Sequence, residues 1–274
     1  MSQLNILKIG GGDGVDYAAT IRNLTQCVNA GEQWLLVHGA SAETNRLTQA
    51  YGYSVQMITS PGGHVSRYTD ARMIKIFAEA AERVNCGLVD LLQTHGVDSA
   101  GFGTASVIRG QRKAAIRAIR NGRQVVIRDD YSGRITGIDT ESIRNALNIG
   151  VIPIIAPIAA GEESEVLNVD GDLVAATIAK ELGAERLVIL SNVPGLLRDV
   201  DDSASLIPQF PLHELDNYQN YAQGRMKKKL IAAETAHVPV TILADSRLDN
   251  PIDAALNGGG THITKDGIYV EHHT

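Results

Sequence analysis

The stretch LNILKIGGGDG, residues 4–14, decides the fold. It places a short apolar strand directly before a glycine-rich turn, and residues 16–30 then have the pattern of a helix that Gly31 ends. The next apolar run, residues 34–37, is typical of a strand buried on both faces. A strand, a glycine turn, a helix and a second buried strand in this order favour an α/β fold with a mostly parallel sheet.

The same alternation continues along most of the chain. The predicted helices cover residues 41–51, 71–84, 140–148, 171–182 and 250–256, with helical patterns over residues 212–236 that break near Gly224. The predicted strands cover residues 151–155, 186–190 and 240–243, and a last strand follows residues 258–260. A soft boundary at residues 161–165 predicts two lobes of one sheet, residues 1–165 and 166–274.

The central segment, residues 101–137, departs from this alternation. We predict a basic hairpin–helix segment here, with short strands and turns around one helix at residues 111–120 and a hairpin turn at residues 129–133. The basic residues that stand together without an acid between them are Arg109, Arg112, Lys113, Arg117, Arg120 and Arg123. Because the whole chain has a net charge of −6, this segment predicts an acidic partner, while the overall charge disfavours nucleic acid.

Composition excludes several other classes of protein. With 274 residues, 44% hydrophobic and 20% charged, the chain is neither disordered nor fibrous, and it is long enough to bury a core. Its most apolar run, residues 149–160, falls short of the ~18 residues of a membrane span. No secretion signal is visible, and Cys27 and Cys86 are expected to be core thiols, so we predict a cytoplasmic location.

Four segments that follow predicted strands are suited to phosphate chemistry. Lys8 precedes the first glycine turn, and HGAS at residues 38–41 forms a second turn before a helix. Asp170 and Asp172 stand where a strand meets a helix, and GRMKKK at residues 224–229 places four cations at a helix start. Backbone N–H groups at such turns bind phosphate oxygens, and a lysine within a strand needs an anionic partner.

Each segment alone also fits an ordinary role: an edge-strand lysine, a plain turn, an N-cap or a solvated basic face. Together they predict phosphoryl transfer without a P-loop, since no Gly-Lys-Ser/Thr follows the glycines. The histidines do not cluster apart from His272 and His273, and no Ser-His-Asp or His-Arg-Asp signature is present. An acceptor carboxylate would need no general base, because it is already ionised at pH 7.

These motifs, in this order, resemble those of the amino acid kinase family, and within it the acetylglutamate kinase group. The resemblance covers nearly the whole chain and rests on KIGG at residues 8–11, HGAS at 38–41, NVDGD at 168–172, SNVPGL at 191–196 and GRMKKK at 224–229. The branch that phosphorylates 2-aminoadipate on an amino-group carrier protein, in lysine biosynthesis, is similar at SRYTD (66–70), RGQRK (109–113) and RDDYSG (128–133).

The family implies an open αβα sandwich with an amino-acid lobe followed by a nucleotide lobe. By resemblance, Lys8 and Lys229 neutralise charge on the transferred phosphoryl group, and Asp172 orients both lysines. Arg67 would bind the α-side carboxylate of the acceptor through its planar fork. The resemblance adds four further residues on the acceptor side, Asn168 and the turn formed by Gly39, Ala40 and Ser41.

The resemblance also implies how ATP is held. The implied nucleotide-binding residues are Gly10, Gly11, Gly12, Ser191, Asn192, Gly195, Leu196, Gly224, Met226 and Lys227. Mg²⁺ would bridge the phosphates, no side chain is implied as a metal ligand, and a homodimer is common in the family. One position departs from the pattern: Ala40 stands where the family usually has glycine, so its contact to an anion requires a negative φ.

The expected activity is ATP-dependent phosphorylation of the side-chain carboxylate of carrier-bound 2-aminoadipate, giving an acyl phosphate. A free N-acetyl-L-glutamate kinase of arginine biosynthesis is an alternative, as is additional use of carrier-bound glutamate, since one methylene is worth only ~1–3 kcal/mol of discrimination. A third alternative is a non-catalytic sensor that binds a nucleotide or an amino acid. The presence of Lys8, Asp172 and Lys229 together disfavours it. The basic segment would dock the acidic carrier, unless it is a solvated helix face, through Arg109, Arg112, Lys113, Arg117 and Arg120.

Overall fold

The computed structural model describes residues 3–63, 65–103, 107–120 and 122–267, so His272 and His273 lie outside the described residues. The strands are β1 (Leu4–Ile9), β2 (Gln33–His38), β3 (Met57–Thr59), β4 (Val65–Arg67), β5 (Ser99–Phe102), β6 (Ile108–Arg112), β7 (Ile116–Arg120), β8 (Arg123–Ile127), β9 (Gly133–Ile138), β10 (Ile152–Ile155), β11 (Ile158–Ala160), β12 (Val166–Asn168), β13 (Arg186–Ser191), β14 (Gln209–Pro211), β15 (Val240–Asp245) and β16 (Thr261–Thr264). The helices are α1 (Tyr17–Asn29), α2 (Ser41–Ala50), α3 (Met73–Thr94), α4 (Thr140–Asn148), α5 (Gly171–Leu182), α6 (Leu215–Tyr218), α7 (Met226–Ala236) and α8 (Pro251–Leu256).

Eight of the described strands form a central sheet in the order β14-β16-β15-β13-β1-β2-β10-β5. Every neighbouring pair in it is parallel except β15 with β16. The apolar strand β1 lies at the centre of this order, so Lys8 is not an edge-strand lysine. The carboxyl ends of β1, β2 and β13 lie side by side, which is where α/β sheets bind ligands.

Helices cover both faces of this sheet. The helices α1 and α8 and the second half of α3 pack on one face with Leu7 and Ile9, whereas α4, α5 and α7 pack on the other with Ile6. Because side chains alternate between the faces of a strand, Lys8 shares the face of Ile6 and points toward α5 and α7. The α/β fold with a mostly parallel sheet is therefore confirmed. The proposed lobe boundary falls in the turn between β11 and β12 and leaves four central strands on each side.

The segment 101–137 differs from its prediction. Its first two residues end β5 of the central sheet, and its other strands join two smaller sheets, β12-β11-β6-β9 and β4-β3-β7-β8. The predicted basic helix at residues 111–120 is wrong, because this stretch ends β6 and forms β7, which pairs antiparallel with β8. Cross-strand pairing outweighs the helix propensity of its alanines and arginines. The predicted hairpin turn at residues 129–133 is also wrong, since it links β8 to β9 in a different sheet.

Helix boundaries follow local capping chemistry. The helices α4 and α5 match their predicted residues, and the Asp139 and Asp170 carboxylates accept backbone N–H groups at their starts. The helix α3 is longer than predicted and ends at residue 94 instead of 84. Asn85, which follows the predicted end, is buried in the helix, where its side-chain amide donates to the Ile154 carbonyl at 3.0 Å.

Two further expectations have clear outcomes. Cys27 is buried, but Cys86 is exposed on α3, so the expectation of two core thiols is wrong for Cys86. Among the described residues, no helix combines the length and the apolar character needed to cross a membrane.

Candidate active site

The two glycine turns lie against each other at the carboxyl ends of β1 and β2. A Cβ atom built on Gly11 would lie 2.1 Å from the carbonyl carbon of Gly39, so a larger residue would collide with backbone. The amide of Ala42 donates to the Gly11 carbonyl at 2.6 Å. Direct backbone contact therefore fixes the separation of the two turns.

A tyrosine that sequence reasoning missed also joins these turns. The Tyr17 hydroxyl lies 3.2 Å from the Gly10 carbonyl oxygen and 3.0 Å from the Gly39 carbonyl oxygen. Burial raises the pKa of this phenol to about 12, so it is a hydrogen-bond donor at neutral pH. Its place in the first turn of α1, just after the glycines, is the only sequence signal that could have found it.

The residue before the second glycine turn, His38, is buried and uncharged at neutral pH. Burial lowers the pKa of its imidazole to about 4. Its Nδ1 lies 3.2 Å from the Gly39 carbonyl oxygen, and its Nε2 lies 3.2 Å from the Asn85 amide nitrogen. A neutral ring with its proton on Nδ1 satisfies both contacts and adds no charge beside Lys8.

The alanine that departs from the family pattern fits without strain. Ala40 has φ −136° and ψ 22°, and it is the N-cap residue of α2. A negative φ is open to any L-residue, so the condition set by the sequence is met. Gly39, Ala40 and Ser41 all line the cleft at the N-terminus of this helix.

Lys8, Asp172 and Lys229 form one buried cluster. The Lys8 Nζ lies 2.6 Å from Asp172 Oδ1, and the Lys229 Nζ lies 3.0 Å from Asp172 Oδ2. The three side chains are at most 10% exposed, and they come from β1, α5 and α7. Each carboxylate oxygen therefore holds one lysine, as expected for a residue that orients both.

Charge within this cluster follows from its burial. Burial raises the pKa of the Asp172 carboxyl, but the Lys8 and Lys229 ammonium groups outweigh burial and hold that pKa well below its usual range. Burial lowers the pKa of the Lys229 ammonium, and Asp172 opposes that effect while Lys8 adds to it. Two cations share one anion, which leaves positive charge at the surface of the cleft.

An ion pair between Lys228 and Asp170 lies beside this cluster, and the sequence did not predict it. The Lys228 Nζ donates to Asp170 Oδ2 at 2.7 Å, while Asp170 Oδ1 accepts the backbone amides of Asp172 and Leu173. Asp170 thus caps α5 and holds a lysine from α7. The run of three lysines at the start of α7 was the available signal.

The acceptor side is built around Arg67. Its Nη2 donates to the Ser41 carbonyl at 3.3 Å and to Asn45 Oδ1 at 2.6 Å, while its Nη1 is buried without a hydrogen-bond partner. Burial lowers the pKa of the guanidinium, and the nearby Arg225 adds to this effect. An unpartnered buried donor is costly, so this position favours an anionic ligand. The Asn168 amide, also in the cleft, lies 3.3 Å from Thr69 Oγ1.

The nucleotide side follows β13. Ser191, Asn192, Gly195 and Leu196 line the cleft. Gly195 has φ +153°, and a Cβ atom on it would lie 2.6 Å from the Thr261 hydroxyl. That hydroxyl accepts the Leu196 amide at 2.9 Å, which holds the loop in place.

One cleft of about 970 Å³ collects most of the predicted residues. In addition to those just described, it is lined by Gly10, Gly11, Gly12 and Met226, and by Arg225, which the sequence analysis did not assign. Gly224 and Lys227 lie elsewhere, at a neighbouring hollow. The lining includes both apolar side chains and lysines, which suits a base and its phosphates.

The five predicted docking residues do not share one surface. Lys113 lines the cleft, and burial lowers the pKa of its ammonium, to which Lys228 adds. The Arg112 guanidinium stacks 3.8 Å from the centre of the Tyr131 ring, and its Nε donates to the Asp130 carbonyl at 2.9 Å. The residues that are exposed are Arg109 on β6, and Arg117 and Arg120 on β7.

The fold and this cleft define a class of protein. The sequence pattern of the amino acid kinase family matches residues 3–238, and the chain belongs to that family. The chain is 41% identical over 265 residues to "[LysW]-aminoadipate kinase" of Deinococcus radiodurans, covering 94% of this chain and 91% of the relative. It is 40% identical over 270 residues to the protein of the same name from Thermus thermophilus. That match covers 94% of this chain and 99% of the relative.

Solved structures agree on the fold. N-acetylglutamate synthase from Neisseria gonorrhoeae superimposes with a TM-score of 0.77 at 22% identity, covering 97% of this chain and 60% of the synthase chain. Carbamate kinase from Giardia lamblia superimposes with a TM-score of 0.68 at 16% identity, covering 97% of this chain and 99% of the carbamate kinase chain. At these identities the likeness shows the fold alone.

Proposed function

We propose that this chain uses ATP to phosphorylate the side-chain carboxylate of 2-aminoadipate attached to an amino-group carrier protein. The observation that carries the proposal is the buried Lys8–Asp172–Lys229 cluster, in the same cleft that the two glycine turns line. A sensor that only bound a ligand would not need two buried lysines on one carboxylate. The names of the two relatives at about 40% identity support the same acceptor.

In this proposal the chemistry is an in-line displacement. An oxygen of the acceptor carboxylate attacks the γ-phosphorus of ATP, the bond from that phosphorus to the β–γ bridging oxygen breaks, and ADP leaves. The carboxylate is ionised at pH 7, so no proton has to be removed. Lys8 and Lys229 stabilise the charge on the transferring group, and Asp172 fixes the positions of both ammonium groups.

The acceptor is positioned by the opposite end of the cleft. The free Nη1 of Arg67 supplies a donor for the α-side carboxylate of aminoadipate, and its Nη2 is held by Ser41 and Asn45. Asn168 and the turn at Gly39 complete this side. A guanidinium suits a planar carboxylate better than an ammonium group does.

Magnesium would reach the site with the nucleotide. Asp170 and Asp172 are both engaged by lysines, and no group of three or more His, Cys, Asp or Glu side chains within the described residues is arranged to hold a metal. This donor set fits an ion held by the phosphates of ATP, which is how Mg²⁺ usually binds. When bound, the ion neutralises phosphate charge.

A homodimer and a cytoplasmic location are also part of this proposal. The homodimer rests on the family resemblance, and the location rests on the two free cysteines.

Trapping of the acyl phosphate with hydroxylamine tests the activity. The acceptors are free N-acetyl-L-glutamate and the carrier protein loaded with 2-aminoadipate or with glutamate, each with ATP and Mg²⁺. We expect a signal with the aminoadipate-loaded carrier. A signal with free N-acetyl-L-glutamate alone would instead assign the chain to arginine biosynthesis, signals with both loaded carriers would indicate dual use, and no signal with any acceptor would favour a sensor.

A further inference from the structure

The small sheet β4-β3-β7-β8 has one face that is open to solvent. Because paired residues in antiparallel strands share a face, the registers of Thr59 with Val65 and of Thr59 with Ile119 place these three side chains together. Arg117, two residues before Ile119, pairs with Val126 on the same face. The exposed apolar side chains of this open face are Met57 (49%), Val65 (50%), Ile119 (40%) and Val126 (52%).

The opposite face of the same sheet is packed. Ala118 is almost wholly buried, and Ile58, Val125 and Ile127 are half-buried. The two faces therefore differ in exposure, and only the open face leaves large apolar side chains mostly in solvent. Four large apolar side chains on a solvent-facing surface mark an interaction site.

The charge of this sheet has one sign. The strands β3, β4, β7 and β8 contain no Asp or Glu, and their charged residues are Arg67, Arg117, Arg120 and Arg123. Arg117 lies on the open face, whereas Arg120 and Arg123 pair across the β7–β8 hairpin on the register of the opposite face, where like charges repel. Neither takes part in any ion pair seen among the described residues. In a chain of net charge −6, this local excess indicates an acidic partner.

The open face is continuous with the acceptor end of the cleft. Met57, Val65 and Arg67 line the cleft itself, while Ile119 and Val126 lie on the two strands beyond β3. A free amino acid bound at Arg67 occupies the cleft and leaves the outer strands uncovered. A protein that presents its amino acid to Arg67 would cover them.

We propose that the open face docks the acidic protein that carries the acceptor, with apolar contacts at Ile119 and Val126, Arg117 beside them, and Arg120 and Arg123 at the exposed hairpin end. This proposal rests on the proposed function and places the docking surface on a sheet face rather than on a basic helix. A nucleic acid is a poorer occupant, because the four strands contain no aromatic side chain on which a base could stack.

The test uses the full chain with Ile119→Ser and Val126→Ser combined. Both side chains are exposed, so folding should be unaffected. We expect the KM for the aminoadipate-loaded carrier to rise at least about 10-fold, with kcat at saturation and the KM for ATP unchanged. The matched control is Ile149→Ser, an isoleucine that is 77% exposed after α4, and it should leave all three values unchanged.

Other outcomes separate the two proposals. Equal KM values for the carrier in the wild type and the double variant would overturn the docking surface while leaving the activity intact. A change from dimer to monomer in light scattering, with unchanged carrier kinetics, would assign the face to a second copy of this chain and also overturn it. Failure of the wild type to act on any loaded carrier would overturn the proposed function and the docking surface together.

Discussion

Replacing Asp172 with Asn removes the negative charge that holds Lys8 and Lys229 together. The two ammonium nitrogens lie 2.6 and 3.0 Å from the carboxylate, and the side chains are nearly buried. Removing one partner of a buried ion pair costs about 3–5 kcal/mol of unfolding free energy. Since each kcal/mol shifts Tm by about 2–4 °C in a chain of this size, we expect Tm to fall by roughly 6–20 °C.

The same variant should respond more strongly to ATP. Its two lysines lack a counter-ion, so nucleotide phosphates should raise its Tm by more than they raise that of the wild type. The rate of acyl-phosphate formation should fall by about 100-fold, because the ammonium groups lose their fixed positions. Scanning calorimetry with and without ATP and the hydroxylamine assay measure both effects. The exposed Asp249→Asn is the control, and a Tm for Asp172→Asn within about 2 °C of the wild type, with more than about half the activity, would refute the reasoning.

The pH dependence of stability gives a second test of this variant. The pKa of Asp172 in the folded protein lies below its usual range, so the unfolded chain takes up the proton first as the pH falls. The carboxylate therefore stabilises fully above the unfolded pKa of about 3.9, and this contribution is lost as the pH falls further toward the folded pKa. Urea unfolding should show the difference between wild type and variant narrowing below about pH 4. A constant difference would contradict the assigned charge.

Three further substitutions test other parts of the site. Lys8→Met should lower kcat about 100-fold while calorimetric ATP binding weakens less than about 10-fold, and an unchanged kcat would contradict its role. Arg67→Lys should raise the acceptor KM about 10-fold or more at constant ATP KM, because an ammonium group cannot form the fork, and equal KM values would argue against acceptor binding there. Gly11→Ala should abolish activity because its Cβ meets backbone at 2.1 Å, whereas Gly87→Ala on α3, whose Cβ meets nothing within 4 Å, should keep it.

Local patterns predicted the central layer well. The helices over residues 140–148 and 171–182 were predicted to the residue, because each has an aspartate cap at its start, and α5 also ends at Gly183 with φ +67°. The buried strands β1 and β2 read as continuous apolar runs for the same reason that they lie inside a parallel sheet. Lys8 stood out because it interrupts such a run.

The failures come from contacts that are distant in sequence. Residues 111–120 favour a helix by composition, and only pairing with β8 makes their second half a strand. The predicted end of α3 was residue 84, yet the helix continues to residue 94, and the Asn85 side chain finds its partner on β10. Tyr17 was missed because its hydroxyl bonds to main-chain carbonyls of both glycine turns, a contact that depends on the fold. Arg225 was missed because its place before a helix does not show that it lines the cleft. The basic residues between Arg109 and Arg120 do not share one surface, because β6 and β7 belong to different sheets.

The backbone contact between the two glycine turns has an evolutionary consequence. The separation of the two turns is set by main-chain atoms, and the substitutions that would disturb it directly are those that add a side chain at Gly11 or Gly39. Selection is then free to alter the peripheral sheets without changing the separation of these two turns. In this fold, substrate specificity can therefore change through substitutions in the small peripheral sheets while the two glycine turns keep their separation.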